Sequence, residues 1–390
     1  MAEGDVPHDD EDERKMGFAW HGSGTSNLDS FLKDFKPIPK PFRQLLGGGG
    51  AGIRLGDDFS VLPTHALKDD GKVVSLVILA KGFTYEWEFS RDTSPAGCIR
   101  PAVLAWKDRD LVTMTSSADG SRGVYTSDEK GESVDGGIRH SFARVGHGVQ
   151  GGFVSATIDG QKVILVSRPV CSETDGKEET RRLHLWLSDL RRIYDVGPVS
   201  AVGEKVAAST LPHSIELQVR KDPIEARRLY CSYEVAAAED GEYNITFVDM
   251  TEKLEDMKEV LAAWKERDAQ IAKEYRCGNK KNNWRSECDD GDLTKGLVGL
   301  LSSTSTDSTW RDEYLCVNAA VCGGVESTPD GGLTFKGPGA GAERPVGDMG
   351  PNQPYHFADK NFTPHGDGVR PRGAESRQQQ LYPFDGCEAT

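Results

Sequence analysis

From about residue 44 to residue 250 the chain is cut into short apolar or alternating runs, and this rhythm limits its folding options more than any other feature. The runs fall at 53–62, 73–79, 85–89, 102–106, 111–115, 123–126, 153–158, 163–166, 183–187, 229–233 and 243–248. Turn residues recur between them at a spacing of about ten residues, which reads as antiparallel strands in a meander and fits a propeller or a sandwich. Forty-four glycines against 8% aromatic residues agree with many turns between short strands. A length of 390 residues allows two domains, or one large β domain and a small one.

The rhythm breaks at 251–275, where Leu254, Met257, Val260, Leu261, Trp264 and Ile271 share one stripe at helical spacing, with Lys and Glu opposite. Asp249 or Thr251 is placed to cap this helix. A helix of that length can join two β domains as a rod or lie along the flank of the first. Short strands return at 296–301, 314–317, 333–336 and 355–358. The acidic stretch before residue 44 and the Arg, Gln, Gly and Pro-rich stretch from 364 to 390 lack apolar periodicity and are expected to be disordered. The expected organisation is therefore an N-terminal segment at 1–43, a first β domain at 44–250, a helix at 251–276, a linker at 277–295, the opening strands of a second β domain at 296–363, and a tail at 364–390.

A formal net charge of −15 gives a long-range field that repels nucleic acid and anionic membrane. The longest apolar run, 73–80, is far short of the roughly 20 residues that span a bilayer. Residues 1–14 lack the basic-then-apolar layout of a secretory signal. Eight cysteines are scattered without a CxxC pair and the histidines have no ligand-like spacing, so neither a metal nor a cofactor is expected. Cys277 and Cys288 flank a polar loop after the helix and could close a disulfide in a secreted form, or remain as two thiols. Asn244 and Asn361 each begin an N-x-T sequon.

Three local motifs need weighing. GGGGAG at 47–52 satisfies GxGxxG, but a strand and a turn follow it rather than a helix, so glycines entering a crowded inner strand explain it better than a phosphate site. SDEKGES at 127–133 has the form of an Asp box, S-x-D-x-G-x-T, with Ser127, Glu129, Gly131 and Ser133 at the pattern positions; such boxes hold hairpin turns in propeller blades and are structural. His140 and His147 lie in a Gly-rich stretch that reads as a solvated loop.

Longer segments occur in an order that resembles the trypanosome trans-sialidase superfamily: LGGGG at 46–50, CIRPAVLAW at 98–106, GHGVQGGF at 146–153, LHLWLSD at 183–189, IYDVGPVS at 193–200, LVGLL at 297–301, WRDEYLCVN at 310–318, YHFA at 355–358 and NFT at 361–363. The resemblance implies a mainly β fold: a partial sialidase-type β-propeller, a long connecting α-helix and the start of a lectin-like, concanavalin A-like β-sandwich. The strands before residue 250 supply about four blades where the family has six, so the ring is not expected to close. The resemblance also implies an extracellular, membrane-anchored protein at the cell surface, although no signal or anchor is legible here.

Catalysis in that family rests on a tyrosine nucleophile paired with a glutamate, and on arginines that clamp the substrate carboxylate. Here the glutamate position holds Arg100 and the tyrosine position falls on Ala208. One arginine position falls on Thr115 or Ser116, another on Thr180 or, with a shift of one residue, on Arg181. Glu234 is the one retained family position and, without its arginine partner, reads as an ordinary surface carboxylate. The F-R-I-P segment of the first blades has no counterpart before residue 46. The expectation is a non-catalytic member that binds sialylated glycans or host matrix proteins; the alternatives are an active exo-α-sialidase or trans-sialidase, or a product without function.

Overall fold

The computed structural model describes residues 42–56, 59–81, 86–117, 122–132, 149–172, 180–211, 228–237, 242–274, 297–306, 308–327 and 333–345, residue 294, and two short strand pairs at 3–5 with 19–21 and 139–140 with 354–355. The first pair, β1 (Glu3–Asp5) and β2 (Ala19–His21), forms an antiparallel ribbon inside the segment expected to be disordered. The tail from 364, the sequon at Asn361, Ser133, His147, Cys277 and Cys288 lie outside the described residues.

The first sheet holds β3 (Phe42–Gly47), β4 (Ile53–Leu55), β5 (Phe59–Lys68), β6 (Val73–Lys81) and β7 (Glu86–Phe89) in the order β3-β5-β6-β7, with β4 also beside β5. β6 is apolar on both faces, as a strand covered on both sides must be. Its Val77 and Leu79 join Ile53, Leu55 and Val61 in packing on Val103 and Leu111 of the second sheet, while Val74 and Leu76 pack the other way on Phe42, Leu45 and Phe89. The second sheet runs β8 (Ile99–Ala105), β9 (Leu111–Ser116), β10 (Arg122–Ser127). β11 (Arg139–His140) stands apart, so His140 is in a short strand rather than a free loop.

The third sheet is β12 (Phe153–Ile158), β13 (Gln161–Ser172), β14 (Thr180–Ser188) and β15 (Ile193–Pro198); the fourth is β16 (Val206–Thr210), β17 (Tyr230–Ala236) and β18 (Tyr243–Asp249). Successive sheets share cores: Leu104, Val112, Met114 and Val124 meet Ile164, Val166 and Trp186, and Leu183, Leu185 and Leu187 meet Leu229, Cys231 and Tyr233. Among the described residues no apolar cluster joins the fourth sheet to the first. The four antiparallel sheets therefore form an arc of propeller blades.

Helix α1 (Lys253–Glu274) lies along the fourth and third sheets through Leu254, Met257 and Leu261, and its far end places Ile271 on Tyr314, Leu315 and Val317. It is flank and link at once. Neither expected cap holds its first turn: the Asp249 carboxylate takes the Thr251 amide at 2.9 Å, and the Thr251 hydroxyl accepts from the Leu229 amide at 3.1 Å, tying the helix entry to the fourth sheet.

The C-terminal unit is a four-stranded antiparallel sheet, β19 (Leu301–Ser305), β20 (Thr309–Asp312), β21 (Ala319–Ser327) and β22 (Leu333–Glu343), with β23 (Pro354–Tyr355) paired to β11. Residues 314–317 do not form the expected strand. Asp312, fully buried at its side chain, accepts from the amides of Leu300, Tyr314 and Val317 at 2.8, 3.0 and 3.2 Å and faces Arg344 Nη2 at 3.0 Å, so the chain curls around a carboxylate. No helix of the described residues is long and apolar enough to cross a membrane.

Candidate functional site

Close approach of inner strands explains the glycine run. A Cβ on Gly48 would stand 2.7 Å from the Pro63 carbonyl oxygen, and one on Gly50 would stand 2.8 Å from Ala102 Cα. No helix begins there, so no phosphate cradle exists.

Beside this run, Arg100, the second residue of β8, adopts φ +52° at an irregularity in the pairing with β9. A non-glycine residue in the left-handed region costs roughly 1 kcal/mol or more and is held there by its surroundings. Arg122, first residue of β10, sits opposite Ser116 in the register. It is 5% exposed, donates to Ser116 Oγ, and donates from Nη2 to the Val149 carbonyl at 2.7 Å. Burial, and then the charge of Arg100, push its pKa down to about 10, so it remains a cation at neutral pH. The same two causes hold the His65 imidazole below its ordinary value. Neither Arg100 nor Arg122 has a carboxylate partner among the described residues. His65 Nδ1 and Gln150 Oε1 are buried without a hydrogen-bond partner.

The segment after Val149 connects this patch to the fourth sheet. Gln150 offers its carbonyl to the Ser209 amide at 3.0 Å, and Ser209 Oγ lies 3.0 Å from Ser167 Oγ. One residue before Ser209, the Ala208 amide donates to Glu234 Oε2 at 3.4 Å. The structure thus brings Ala208 and Glu234 together on adjacent strands, and ties Arg122 through residues 149–150 to the strand that carries Ala208. Thr115 and Ser116 are buried in β9, the former with an unpartnered Oγ1. Thr180 and Arg181 pair with Ser172 and Cys171 at the start of β14.

Such an arrangement can hold an anion: two guanidinium groups face no neutralising carboxylate among the described residues, in a chain whose overall charge is strongly negative. It offers no side-chain nucleophile at position 208. Arg122, His65 and Gln150 escaped sequence reading. Arg122 opens β10, and burial of an arginine has no local signature in the sequence.

The Asp-box turn also differs from expectation. The carboxylate that binds the turn is Asp128, whose Oδ1 accepts from the amides of Lys130 and Glu132 at 2.9 and 2.8 Å; Glu129 instead faces Arg109 Nη1 at 3.2 Å. Gly131, with φ +69°, makes the turn possible, since a Cβ there would lie 2.3 Å from Ser90 Cβ. Ser127 ends β10 ahead of the turn. Asn244 is exposed on β18.

Radially packed antiparallel sheets with a turn of this kind define a propeller protein of the BNR repeat class. The profile of the family described as BNR repeat-like domain matches residues 3–234, taking in the segment before residue 44, and that described as trans-sialidase, C-terminal domain, matches residues 293–364. The chain belongs to the trans-sialidase superfamily. A sialidase of Trypanosoma cruzi is 28% identical over 345 residues, 82% of this chain and 27% of that protein, and sialidase 85-1.1 of the same organism is 28% identical over 297 residues, 71% and 34%. Trypanosoma rangeli sialidase in complex with the inhibitor DANA superposes with a TM-score of 0.67 at 28% identity, covering 91% of this chain and 54% of that one. The covalent intermediate of that enzyme with 2,3-difluorosialic acid gives 0.65 at 29% identity, with 92% and 54% covered. The chain thus spans about half the length of these structures and a smaller share of the curated relatives.

Proposed function

We propose that this chain is a non-catalytic, adhesin-like member of its superfamily that binds sialylated glycans, on host cells or matrix proteins, from a cell-surface setting. The observation that carries the reading is the pair Arg100 and Arg122, without a carboxylate partner among the described residues, near a site whose nucleophile position is Ala208. A sialoside presents one carboxylate, and a buried guanidinium already held by Ser116 and Val149 loses little freedom in meeting it. A retaining glycosidase needs a nucleophile about 5 Å from its acid. Ala208 has none, and Arg100 in the glutamate position cannot take a proton. The Glu234 carboxylate is engaged with the Ala208 amide.

Titration with α2,3-sialyllactose and with lactose tests this. Binding of the sialylated ligand alone, weakened about tenfold or more in Arg122→Gln, supports the reading. Equal affinity for both sugars, or release of sialic acid, overturns it.

A further inference from the structure

Each sheet of the arc buries the face it turns to its neighbour, and the last sheet has a second face with no neighbour among the described residues. The register of β17 and β18 sorts their side chains. Cys231, Tyr233, Val235 and Val248 point toward the third sheet and helix α1, where they are buried or half-buried. Tyr230, Tyr243, Ile245 and Phe247 point the other way and are 40, 57, 68 and 78% exposed. Both faces carry the same kind of residue, so the outer one has the make-up of a blade contact that no described residue completes.

The other end of the arc narrows what can cover this face. On the outer side of the first sheet, Ala66, Val74 and Leu76 are no more than 4% exposed. Phe42 of β3 and Phe89 of β7, which pack on them, lie with ring centroids 6.5 Å apart. That end is closed, so a head-to-tail contact between copies has no second half. The same face on a second copy remains, in a two-fold contact where each patch meets its own equivalent. At about 200 Å² for an aromatic side chain and about 100 Å² for isoleucine, the four exposed side chains leave roughly 400 Å² open on each copy. Two copies would cover about twice that area, and Thr210, Ser232 and Ala236 on the same face bring the pair past the roughly 1,000 Å² that a specific interface needs. Charge stands at the margin: Glu234 is held toward β16 by the Ala208 amide, and Arg228 donates to Tyr230 Oη at 3.2 Å. An apolar centre with both signs at its rim is the anatomy of a protein contact.

We propose that two copies of this chain pair through the outer faces of their fourth sheets, stripe against stripe about a two-fold axis. The contact does not rest on the sialoside reading, because Arg100 and Arg122 belong to the second sheet.

Sedimentation velocity on the full chain, from about 1 to about 200 μM, tests it. The chain should pass from monomer to dimer with a midpoint on the order of 10 μM and go no further. Dye fluorescence per chain, read with anilinonaphthalene sulfonate, should fall over the same range as the dimer buries the stripe. Ile245→Asp with Phe247→Asp should leave a monomer at every concentration, whereas Val202→Asp, at an 83% exposed valine between β15 and β16, should leave the dimer unchanged. Urea midpoints identify any variant that fails to fold. Phe247→Ser, a milder change, should weaken the dimer about tenfold or more and serves if the double variant does not fold. A two-fold contact needs both faces, so the double variant mixed with wild type should form no mixed dimer. A wild-type chain that stays monomeric throughout, or one that grows past the dimer, overturns the proposal. So does a dimer that persists in the folded double variant, which would point to pairing along the β18 edge, or a mixed dimer, which would point to a head-to-tail contact.

Discussion

Arg192 and Asp268 face each other where the third blade meets the helix, with Nη2 2.9 Å from Oδ2 and Nη1 3.1 Å from Oδ1. The same guanidinium holds Asp189 Oδ2 at 2.8 Å and lies 4.8 and 5.2 Å from the ring centroids of Trp264 and Tyr314. One planar cation thus joins propeller, helix and C-terminal unit. Removing it leaves two carboxylates facing each other, and Arg192→Ala is expected to cost about 3 kcal/mol. Arg192→Lys should recover less than half, because a single ammonium cannot serve two carboxylates and two ring faces. Urea midpoints at constant m-value measure both.

The buried Asp312 carboxylate should be equally indispensable to the C-terminal unit. Asp312→Ala strands Arg344 and several backbone amides, at about 3–5 kcal/mol. Hydrogen exchange should show residues 314–317 losing protection first. Unchanged protection there would mean that the curl around Asp312 is held by other contacts.

On β18, Tyr243, Ile245 and Phe247 alternate along one face at 57, 68 and 78% exposure. An exposed apolar stripe on an edge strand binds hydrophobic dyes and favours self-association. The purified chain is expected to enhance the fluorescence of anilinonaphthalene sulfonate, and Ile245→Thr with Phe247→Thr to remove most of that enhancement. A monomer that stays dark to the dye at high concentration would count against an open arc.

The fold was legible because periodicity is a backbone property. Runs such as 153–158 and 183–187 coincide with or lie inside β12 and β14, and the stripe from Leu254 to Ile271 gave the helix within two residues. β1, β2, β3, β11, β15, β16, β20 and β21 went unread, and β19 begins where the strand expected at 296–301 was to end. β16 is too short and alanine-rich for its alternation to register, and β21 is interrupted by Gly323 and Gly324. The stretch 314–317 is apolar because it is buried, not because it is extended, and sequence periodicity over four residues cannot separate the two. The family resemblance located Arg100, Ala208 and Glu234. Arg122 became visible only once β9 and β10 set it opposite Ser116, since a buried cation is defined by what surrounds it.

His65 carries a pH dependence. Its pKa lies below 6.5 through burial first and the Arg100 charge second, so the folded state prefers the neutral ring. As pH falls below about 6.5 the unfolded chain takes up the proton first. The stabilisation is therefore present above that pH and is lost as pH falls toward the depressed folded value. His65→Asn should flatten the fall in urea midpoint between pH 7.5 and 5. A bound carboxylate that offsets Arg100 should bring the folded value closer to the unfolded one and so make the fall in midpoint smaller.

A single series of proton NMR spectra of α2,3-sialyllactose with the purified chain reports binding and turnover in the same tube. Saturation transfer to the sialic acid N-acetyl group, with no free sialic acid after a day, is the predicted result. Loss of one nucleophile–base unit in another hydrolase lowers turnover by roughly a million-fold, which leaves nothing to detect on that scale. Appearance of free sialic acid, abolished by Glu234→Ala, would contradict the account by showing that a carboxylate-based reaction survives; absence of saturation transfer would contradict it by removing the ligand.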